Sequence, residues 1–141
     1  MAIVDGTLGN DLLYGGDGND RLEGGAGVDM MSGDLGADIF GFDDGHTGIG
    51  SANRDRIADF SRGEGDKLDV DPVDVNLNLG GDQDFVFRGT AAFTGIGQIR
   101  VVSSGADRII QFNNDSDLQA DFEIVLQGSN QPVLGSDFGH L

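Results

Sequence analysis

The 141-residue chain contains no cysteine and no tryptophan, and it has only two histidines, His46 and His140. Without cysteine the chain can form neither disulfide bonds nor thiolate metal sites. The two histidines cannot form a His-Glu-x-x-His zinc helix. The sequence also lacks a P-loop and a serine in a nucleophile-elbow pattern. These absences predict that the chain is not an enzyme.

Long hydrophobic runs are missing as well. No apolar stretch approaches the length of a membrane-spanning helix, which predicts that the chain has no membrane span. The first residues, Met1–Gly6, contain no basic region followed by an apolar run. We therefore expect no N-terminal signal peptide of the Sec type.

Positive charge is scarce. Eight lysines and arginines stand against 25 acidic residues, which gives a formal net charge of −17. A charge of this sign argues against nucleic acid or an anionic membrane as the main partner. All but three of the acidic residues are aspartate, which favours turns and calcium loops over helices. A surface that is merely very soluble or adapted to salt is the alternative interpretation of this charge.

Glycine, in contrast, is abundant, with 25 residues, and many of these lie in a repeat with a period of nine. The repeat has four rows, which are Gly6–Tyr14, Gly15–Glu23, Gly24–Ser32 and Gly33–Gly41. Glycine fills columns one and four of every row, and aspartate fills column six. Column eight is always apolar and holds Leu13, Leu22, Met31 and Phe40. A glycine-rich nonapeptide of this kind is typical of calcium-binding parallel β-structure.

Each row predicts a six-residue turn followed by a three-residue strand whose column-eight side chain points inward. If one row makes half a turn of a coil, rows one and three share one edge, and rows two and four share the other. Stacked strands are about 4.8 Å apart, so Asp11 should lie beside Asp29, and Asp20 beside Asp38. Carboxylates this close repel each other, and a Ca²⁺ ion between them removes the repulsion. We therefore predict at least one Ca²⁺ ion for each same-edge pair, the alternative being that these aspartates only form Asx turns.

The remainder of the chain predicts further β-structure. Residues 43–80 favour loops and two short buried strands, around Ile57 and Leu68, that cap the coil. A helical turn is expected near Val73–Asn76. Longer strands are expected at residues 85–88, 98–103, 107–112 and 122–126, with Ser104–Ala106 joining the second to the third as a hairpin.

The predicted fold class is therefore all-β. It is a parallel β-roll, or right-handed β-solenoid, of nonapeptide repeats with a C-terminal antiparallel part that resembles a β-sandwich. We expect one module over residues 1–141. Its β-roll would occupy residues 5–42, its capping segments residues 43–80, and its C-terminal strands residues 81–141.

The four rows resemble the RTX family, the secreted bacterial proteins with calcium-dependent β-roll repeats. Three later segments also resemble the C-terminal domains of serralysin-type proteases and the R-modules of mannuronan C5-epimerases: Asp55–Phe60, Gly65–Val70 and Ser136–Phe138. The resemblance implies that several Ca²⁺ ions bind to carboxylate and turn ligands. The implied carboxylates are Asp11, Asp20, Asp29, Asp38, Asp59 and Asp66. The implied turn residues are Gly9, Gly15, Asp17, Gly18, Gly24, Ala26, Gly27, Gly33, Leu35 and Gly36.

The same resemblance implies that the protein is secreted and works outside the bacterial cell. The chain would leave the cell through the type I secretion machinery, with an uncleaved export signal at its C-terminal end. Extracellular Ca²⁺ would then fold it, because the binding energy of the ions is folding energy. It would act as a non-catalytic module that stabilises an attached domain, although a fragment of an enzyme is a further possibility.

Two other clusters of charge each allow two interpretations. Asn113, Asp115, Asp117 and Asp121 have the spacing of EF-hand ligands, but the turn glycine and the final glutamate of that motif are absent. A solvated acidic hairpin loop is therefore the favoured interpretation there. The second cluster is basic and contains Arg54, Arg56, Arg62 and Lys67. It could bind an acidic polysaccharide such as alginate, but salt bridges to nearby carboxylates are favoured.

Overall fold

A computed structural model describes residues 1–43, 53–70, 85–129 and 131–139 of the chain, and these residues are almost entirely β-structure. The strands are β1 (Ile3–Asp5), β2 (Leu12–Tyr14), β3 (Arg21–Glu23), β4 (Met30–Ser32), β5 (Ile39–Gly41), β6 (Asp55–Ile57), β7 (Lys67–Asp69), β8 (Val86–Phe87), β9 (Gln98–Ser104), β10 (Asp107–Asn113) and β11 (Phe122–Leu126). A 3-10 helix at Gly135–Asp137 follows them. The helical turn expected near residues 73–76, and most of the loop expected after residue 42, lie outside the described residues.

The nine-residue period produces the strands that the sequence predicted. Columns seven to nine of the four rows are β2, β3, β4 and β5. Strands two rows apart pair in parallel, so that Leu13 lies opposite Met31 and Leu22 opposite Phe40. Because side chains alternate along a strand, column eight faces inward, and its last three members are fully buried. The predicted pairing of strands two rows apart and the predicted inward face are therefore confirmed.

The stacking continues beyond the four rows. β1 pairs with β3, β6 pairs with β4, and β7 pairs with β5, each in parallel. The registers place Val4, Ile57 and Leu68 in the column-eight position. The coil thus consists of a four-strand stack, β1-β3-β5-β7, and a three-strand stack, β2-β4-β6. β6 and β7, which the sequence assigned to a cap, lengthen these stacks.

Strands β9, β10 and β11 pair in an antiparallel manner and add to one edge of the coil, whereas the short β8 pairs with β9 in parallel. β9 and β10 form the predicted hairpin, and β10 pairs with β11. β11 pairs in parallel with β6, so the three-strand stack and the C-terminal strands form one seven-stranded sheet. The predicted all-β class, with parallel coil strands and antiparallel C-terminal strands, is confirmed. The division of the chain at residues 42 and 80 stays a prediction.

Aromatic side chains fill the core beneath the antiparallel strands. Phe112 is fully buried, stacks on Phe122 with ring centroids 4.3 Å apart, and meets Phe85 edge-on at 5.5 Å. Farther along the chain, Phe138 is buried and forms a parallel bridge with Leu68 on β7. No helix in the described ranges has the length and apolar character needed to cross a membrane.

Candidate metal centre

Aspartates in column six form a ladder along the three-strand stack. The Oδ1 atom of Asp29 accepts a hydrogen bond from the backbone N–H of Asp11 at 2.8 Å. Asp55 repeats this contact one level later, because its Oδ1 accepts from the N–H of Asp29 at 2.9 Å. We call Asp11, Asp29 and Asp55 the first ladder. Each member therefore lies directly over the next, as the spacing of eighteen residues predicted for Asp11 and Asp29.

The four-strand stack carries an equivalent second ladder, which consists of Asp20, Asp38 and Asp66. The Oδ1 of Asp38 accepts from the N–H of Asp20 at 2.8 Å, and the Oδ1 of Asp66 accepts from the N–H of Asp38 at 2.9 Å. The Oδ1 of Asp20 accepts from the N–H of Ala2 in the same way. All three carboxylates are at least 97% buried. The second ladder is therefore a line of acidic groups inside the molecule.

The second oxygens of Asp20 and Asp38 face the turns of their own rows. The Oδ2 atoms of Asp20 and Asp38 are buried and accept no hydrogen bond from the described residues. A Cβ atom added to Gly15 would lie 2.8 Å from the Oδ2 of Asp20, and one added to Gly33 would overlap the Oδ2 of Asp38. Glycine in column one therefore lets the carboxylate approach the turn backbone. Buried carboxylate oxygens without a donor are costly, and their surroundings fit a cation such as Ca²⁺, which prefers oxygen ligands.

Burial and mutual repulsion disfavour the charged form of several ladder members. Burial, and then the charge of Asp29, raises the pKa of Asp55 to about 7. The pKa of Asp66 rises to about 6 through burial and then through Asp38 and Asp59. Burial and the carboxylates of Asp20 and Asp59 also raise the pKa of Asp38. At neutral pH the ladders thus hold negative charge that a bound cation would neutralise.

Asp59, another predicted ligand, reaches the turn of row four. Its carboxylate accepts hydrogen bonds from the N–H groups of Gly33 and Asp34 at 3.1 and 2.9 Å, and from the hydroxyl of Ser32 at 2.5 Å. Asp34 adopts a left-handed φ of 66° there, at a position where rows two and three have glycine. The structure therefore brings Asp59 to the turn that leads to Asp38.

The predicted turn ligands lie in turns that stack on one another. The N–H of Gly18 donates to the carbonyl of Leu35 at 2.6 Å. A Cβ atom on Gly27 or Gly36 would overlap the carbonyl of Gly9 or Gly18 on the neighbouring turn. Rows three and four therefore need glycine in column four for the turns to approach this closely. Which of the turn carbonyls bind the ion stays a prediction.

The sequence interpretation missed Asp55. Each ladder member stands two residues before a column-eight side chain, so the shared signal is aspartate, any residue, and an apolar residue. Asp55-Arg56-Ile57 and Asp66-Lys67-Leu68 both have this pattern. The sequence did not indicate Asp55 because the period of nine residues ends after residue 41. A fixed period therefore does not assign Asp55 to column six.

The acidic loop between β10 and β11 brings three carboxylates together. One oxygen each of Asp115, Asp117 and Asp121 lies within 4.8 Å of the others. Burial, and then repulsion from the two other carboxylates, raises the pKa of Asp121. The side-chain amide of Asn113 donates to the carbonyls of Gly95 and Asp117 and so ties the loop to the hairpin. The solvated loop that the sequence favoured stays the prediction here, and calcium binding stays its alternative.

The four basic side chains of the predicted polysaccharide patch contact the C-terminal part of the chain. Arg54 pairs with Glu123 at 3.1 Å, and Arg56 with Asp107 at 3.8 Å. The guanidinium of Arg62 donates twice to the fully buried carboxylate of Asp137, at 2.6 Å each. The ammonium of Lys67 donates to the carbonyl of Ser136. These partners are remote in the sequence and differ from the neighbouring carboxylates that the sequence suggested.

Comparison with known proteins gives one match to the repeats and a second match to most of the chain. The family model of the RTX calcium-binding nonapeptide repeat matches residues 5–40 as four copies. Among solved structures, the chain is similar to the R3 subunit of AlgE6, a mannuronan C5-epimerase of Azotobacter vinelandii. The identity is 27%, the TM-score is 0.52, and the match covers 91% of this chain and 72% of that one.

The R2 subunit of the same epimerase also matches, at 23% identity and a TM-score of 0.47, over 96% of this chain and 91% of that one. No curated protein sequence matches the chain. The RTX repeats and the likeness to an epimerase R-module, both predicted from the sequence, are confirmed.

Proposed function

Because residues 5–40 are RTX calcium-binding nonapeptide repeats, we propose that the chain is a non-catalytic module that folds around several Ca²⁺ ions. Each ion would lie at the edge of the coil, between two turns that face the same way. Asp29 would bind an ion on the edge of the first ladder, and Asp20 and Asp38 would bind ions on the edge of the second ladder, in each case together with turn carbonyls. Asp55 and Asp66 would extend the two ladders beyond the four repeats, and Asp59 would complete the last turn.

The buried Oδ2 atoms of Asp20 and Asp38 are the observation that carries this proposal. Each is buried away from water and accepts no hydrogen bond from the described part of the chain. This burial destabilises the folded state unless a cation is present. Ca²⁺ accepts several oxygen ligands at about 2.3–2.6 Å and tolerates irregular geometry. A formal charge of −17 adds a general repulsion that bound cations would reduce.

We further propose that this calcium dependence serves secretion from a bacterial cell through the type I machinery. Where Ca²⁺ is scarce, the repulsion between carboxylates would keep the repeats unfolded, which would help the chain to pass through a channel. Outside the cell the ions would fold it, and the folded module would stabilise an attached domain. The proposed C-terminal export segment includes Asp137 and Phe138, which are buried in the folded chain. Recognition of this segment would therefore have to precede folding.

Circular dichroism of the whole chain tests the calcium proposal. In EGTA we expect a weak β-signal and a low melting temperature, and excess Ca²⁺ should restore both. Titration calorimetry of the same sample should detect several bound ions. Excess Mg²⁺ is the matched control, because its octahedral geometry does not suit a site built from many protein oxygens. A β-signal and a melting temperature that do not change between EGTA and Ca²⁺ would refute the proposal.

A second candidate function is binding to an acidic polysaccharide. The likeness to a subunit of a mannuronan C5-epimerase favours it. Arg56 is the arginine whose ion pair is longest, at 3.8 Å to Asp107 against 3.1 Å for Arg54 and 2.6 Å for Arg62, and its side chain is about 30% exposed. Calorimetry with alginate oligomers, at low salt and fixed free Ca²⁺, tests this function. Neutral oligomers are the control for the ligand, and Arg56→Gln is the control for the patch. Absence of heat with alginate would exclude this function.

A further inference from the structure

The first repeat differs from the others at its second column. Rows two and three have Gly16 and Gly25 there, both with a left-handed φ, and row four has Asp34, which is also left-handed. Row one has Thr7, which is not left-handed. The turn that precedes Asp11 therefore has a different backbone conformation from the turns that precede the other repeat aspartates.

Thr7 uses this conformation to contact the carboxylate of its own row. Both its N–H and its hydroxyl donate to the Oδ2 of Asp11, at 2.6 and 2.9 Å. The hydroxyl is itself held in place, because it accepts a hydrogen bond from the N–H of Gly9 at 3.1 Å. In rows two and four the equivalent Oδ2 atoms, those of Asp20 and Asp38, accept no hydrogen bond from the described residues.

We propose that Thr7 lowers the calcium affinity of the first repeat, because it holds the Asp11 oxygen that a cation would otherwise bind. This inference rests on the proposed calcium function. To bind between Asp11 and Asp29, an ion has to displace two hydrogen bonds to a charged acceptor, and such bonds are stronger than bonds between neutral groups. An ion that binds the Oδ2 of Asp20 or Asp38 displaces no hydrogen bond from the described residues. The first repeat is then the last to load, and its turn can fold while the site is empty.

Calcium titration of three proteins tests the role of Thr7. Thr7→Gly restores the residue of rows two and three, whereas Thr7→Ser keeps both donors and is the matched control. We expect the affinity of the weakest site to rise on the order of tenfold in Thr7→Gly. In Thr7→Ser it should stay within about twofold of the wild type. Asp11→Asn should abolish the weakest binding step and leave the tighter steps in place, which assigns that step to row one.

Added backbone freedom in Thr7→Gly works against tighter binding, so Thr7→Val provides a second route. It removes the hydroxyl and retains the N–H, and we expect an affinity between those of the wild type and Thr7→Gly. The inference would be overturned if neither Thr7→Gly nor Thr7→Val raised the calcium affinity of the weakest site above that of the wild type. It would also be overturned if Thr7→Gly and Thr7→Ser raised that affinity equally. If the wild type binds Ca²⁺ with several affinities and only this ranking fails, the calcium function stands. If the wild type takes up no Ca²⁺, both fail.

Discussion

The coil and the antiparallel hairpins share a sheet, but they are held together in different ways. Each strand of rows one to four is three residues long and buries one apolar side chain from column eight. β9 and β10 are seven residues long, and β11 buries every one of its five residues. The area of apolar surface per residue that leaves water is therefore much smaller in the coil than in the hairpins.

The polar groups of the two regions show the opposite contrast. The coil stacks buried carboxylates on one another, whereas the hairpins pair the buried Glu123 with Arg54 and with the amide of Gln111. The buried charge of Glu123 is thus paired within the protein, whereas we propose that a bound cation neutralises the charge of the ladders. The two regions meet where β6 pairs with β11, and Ile57 lies opposite Leu126 there. One region should therefore respond to calcium and the other should not.

Removal of calcium should separate the two regions most strongly. In EGTA we expect the coil to become only marginally stable, so that the backbone amides of β2–β5 lose much of their protection from hydrogen exchange. Those of β9–β11 should keep most of theirs, because aromatic packing does not depend on the ion. Hydrogen exchange measured by mass spectrometry on peptides from each region gives the comparison. Equal loss of protection in both regions would show that the coil and the hairpins unfold as one unit.

A large-to-small substitution in the aromatic core should have the next largest effect. Phe112→Ala removes the ring that stacks on Phe122, and such changes cost about 3–5 kcal/mol of unfolding free energy. The loss should be the same in EGTA and in Ca²⁺ wherever the hairpins remain folded, as chemical denaturation would show. Leu118→Ala, at a side chain that is 58% exposed, is the control and should change little. A loss seen only in Ca²⁺ would contradict the separation of the two regions.

Neutralising one ladder carboxylate should change stability in opposite directions with and without calcium. Asp38→Asn removes a buried charge, so without Ca²⁺ the melting temperature should equal or exceed that of the wild type. With Ca²⁺ the variant lacks a charged ligand and should lose about 2 kcal/mol, the scale of a hydrogen bond to a charged group. Asp5→Asn, at an exposed position on β1, is the matched control. A loss of equal size under both conditions would mean that Asp38 has only a structural role.

The coil could be predicted because its pattern is local. A period of nine, with a fixed apolar column, determines the strands, the inward face and the partner eighteen residues away. β1 could have been predicted by the same reasoning, because Val4 stands nine residues before Leu13. The longer strands of the hairpins were predicted from their composition, and their pairing as neighbours follows from the short connection at Ser104–Ala106.

Contacts between remote segments could not be predicted in this way. Arg54 forms an ion pair with Glu123, 69 residues away in the sequence, and Arg62 forms one with Asp137, 75 residues away. Each arginine has nearer carboxylates in the sequence, and nothing in the local pattern distinguishes these from the true partner. The pairing depends on β11 lying beside β6, which is a property of the complete sheet. Asp55 was missed for a related reason, since it rejoins its column only after the regular spacing ends.

Asp55 and Asp66 also predict the smallest effect, a dependence of stability on pH that reverses with calcium. Their pKa values in the folded chain, about 7 and about 6, lie above the value of about 3.9 expected when unfolded. The folded state therefore binds more protons between pH 4 and pH 7. Without Ca²⁺, its stability should be greatest below that window and should fall as the pH rises through it.

With Ca²⁺ present, protons compete with the ion for the same oxygens, so stability should instead rise over the same range. We expect differences of several degrees in melting temperature between pH 5 and pH 8, measured in EGTA and in saturating Ca²⁺. Asp55→Asn, which cannot titrate, should weaken the dependence under both conditions, because it removes the group with the larger shift. If stability in EGTA rises between pH 5 and pH 8, ionisation of the ladder carboxylates does not destabilise the folded state. The coil would then differ from the hairpins in its length of strand alone.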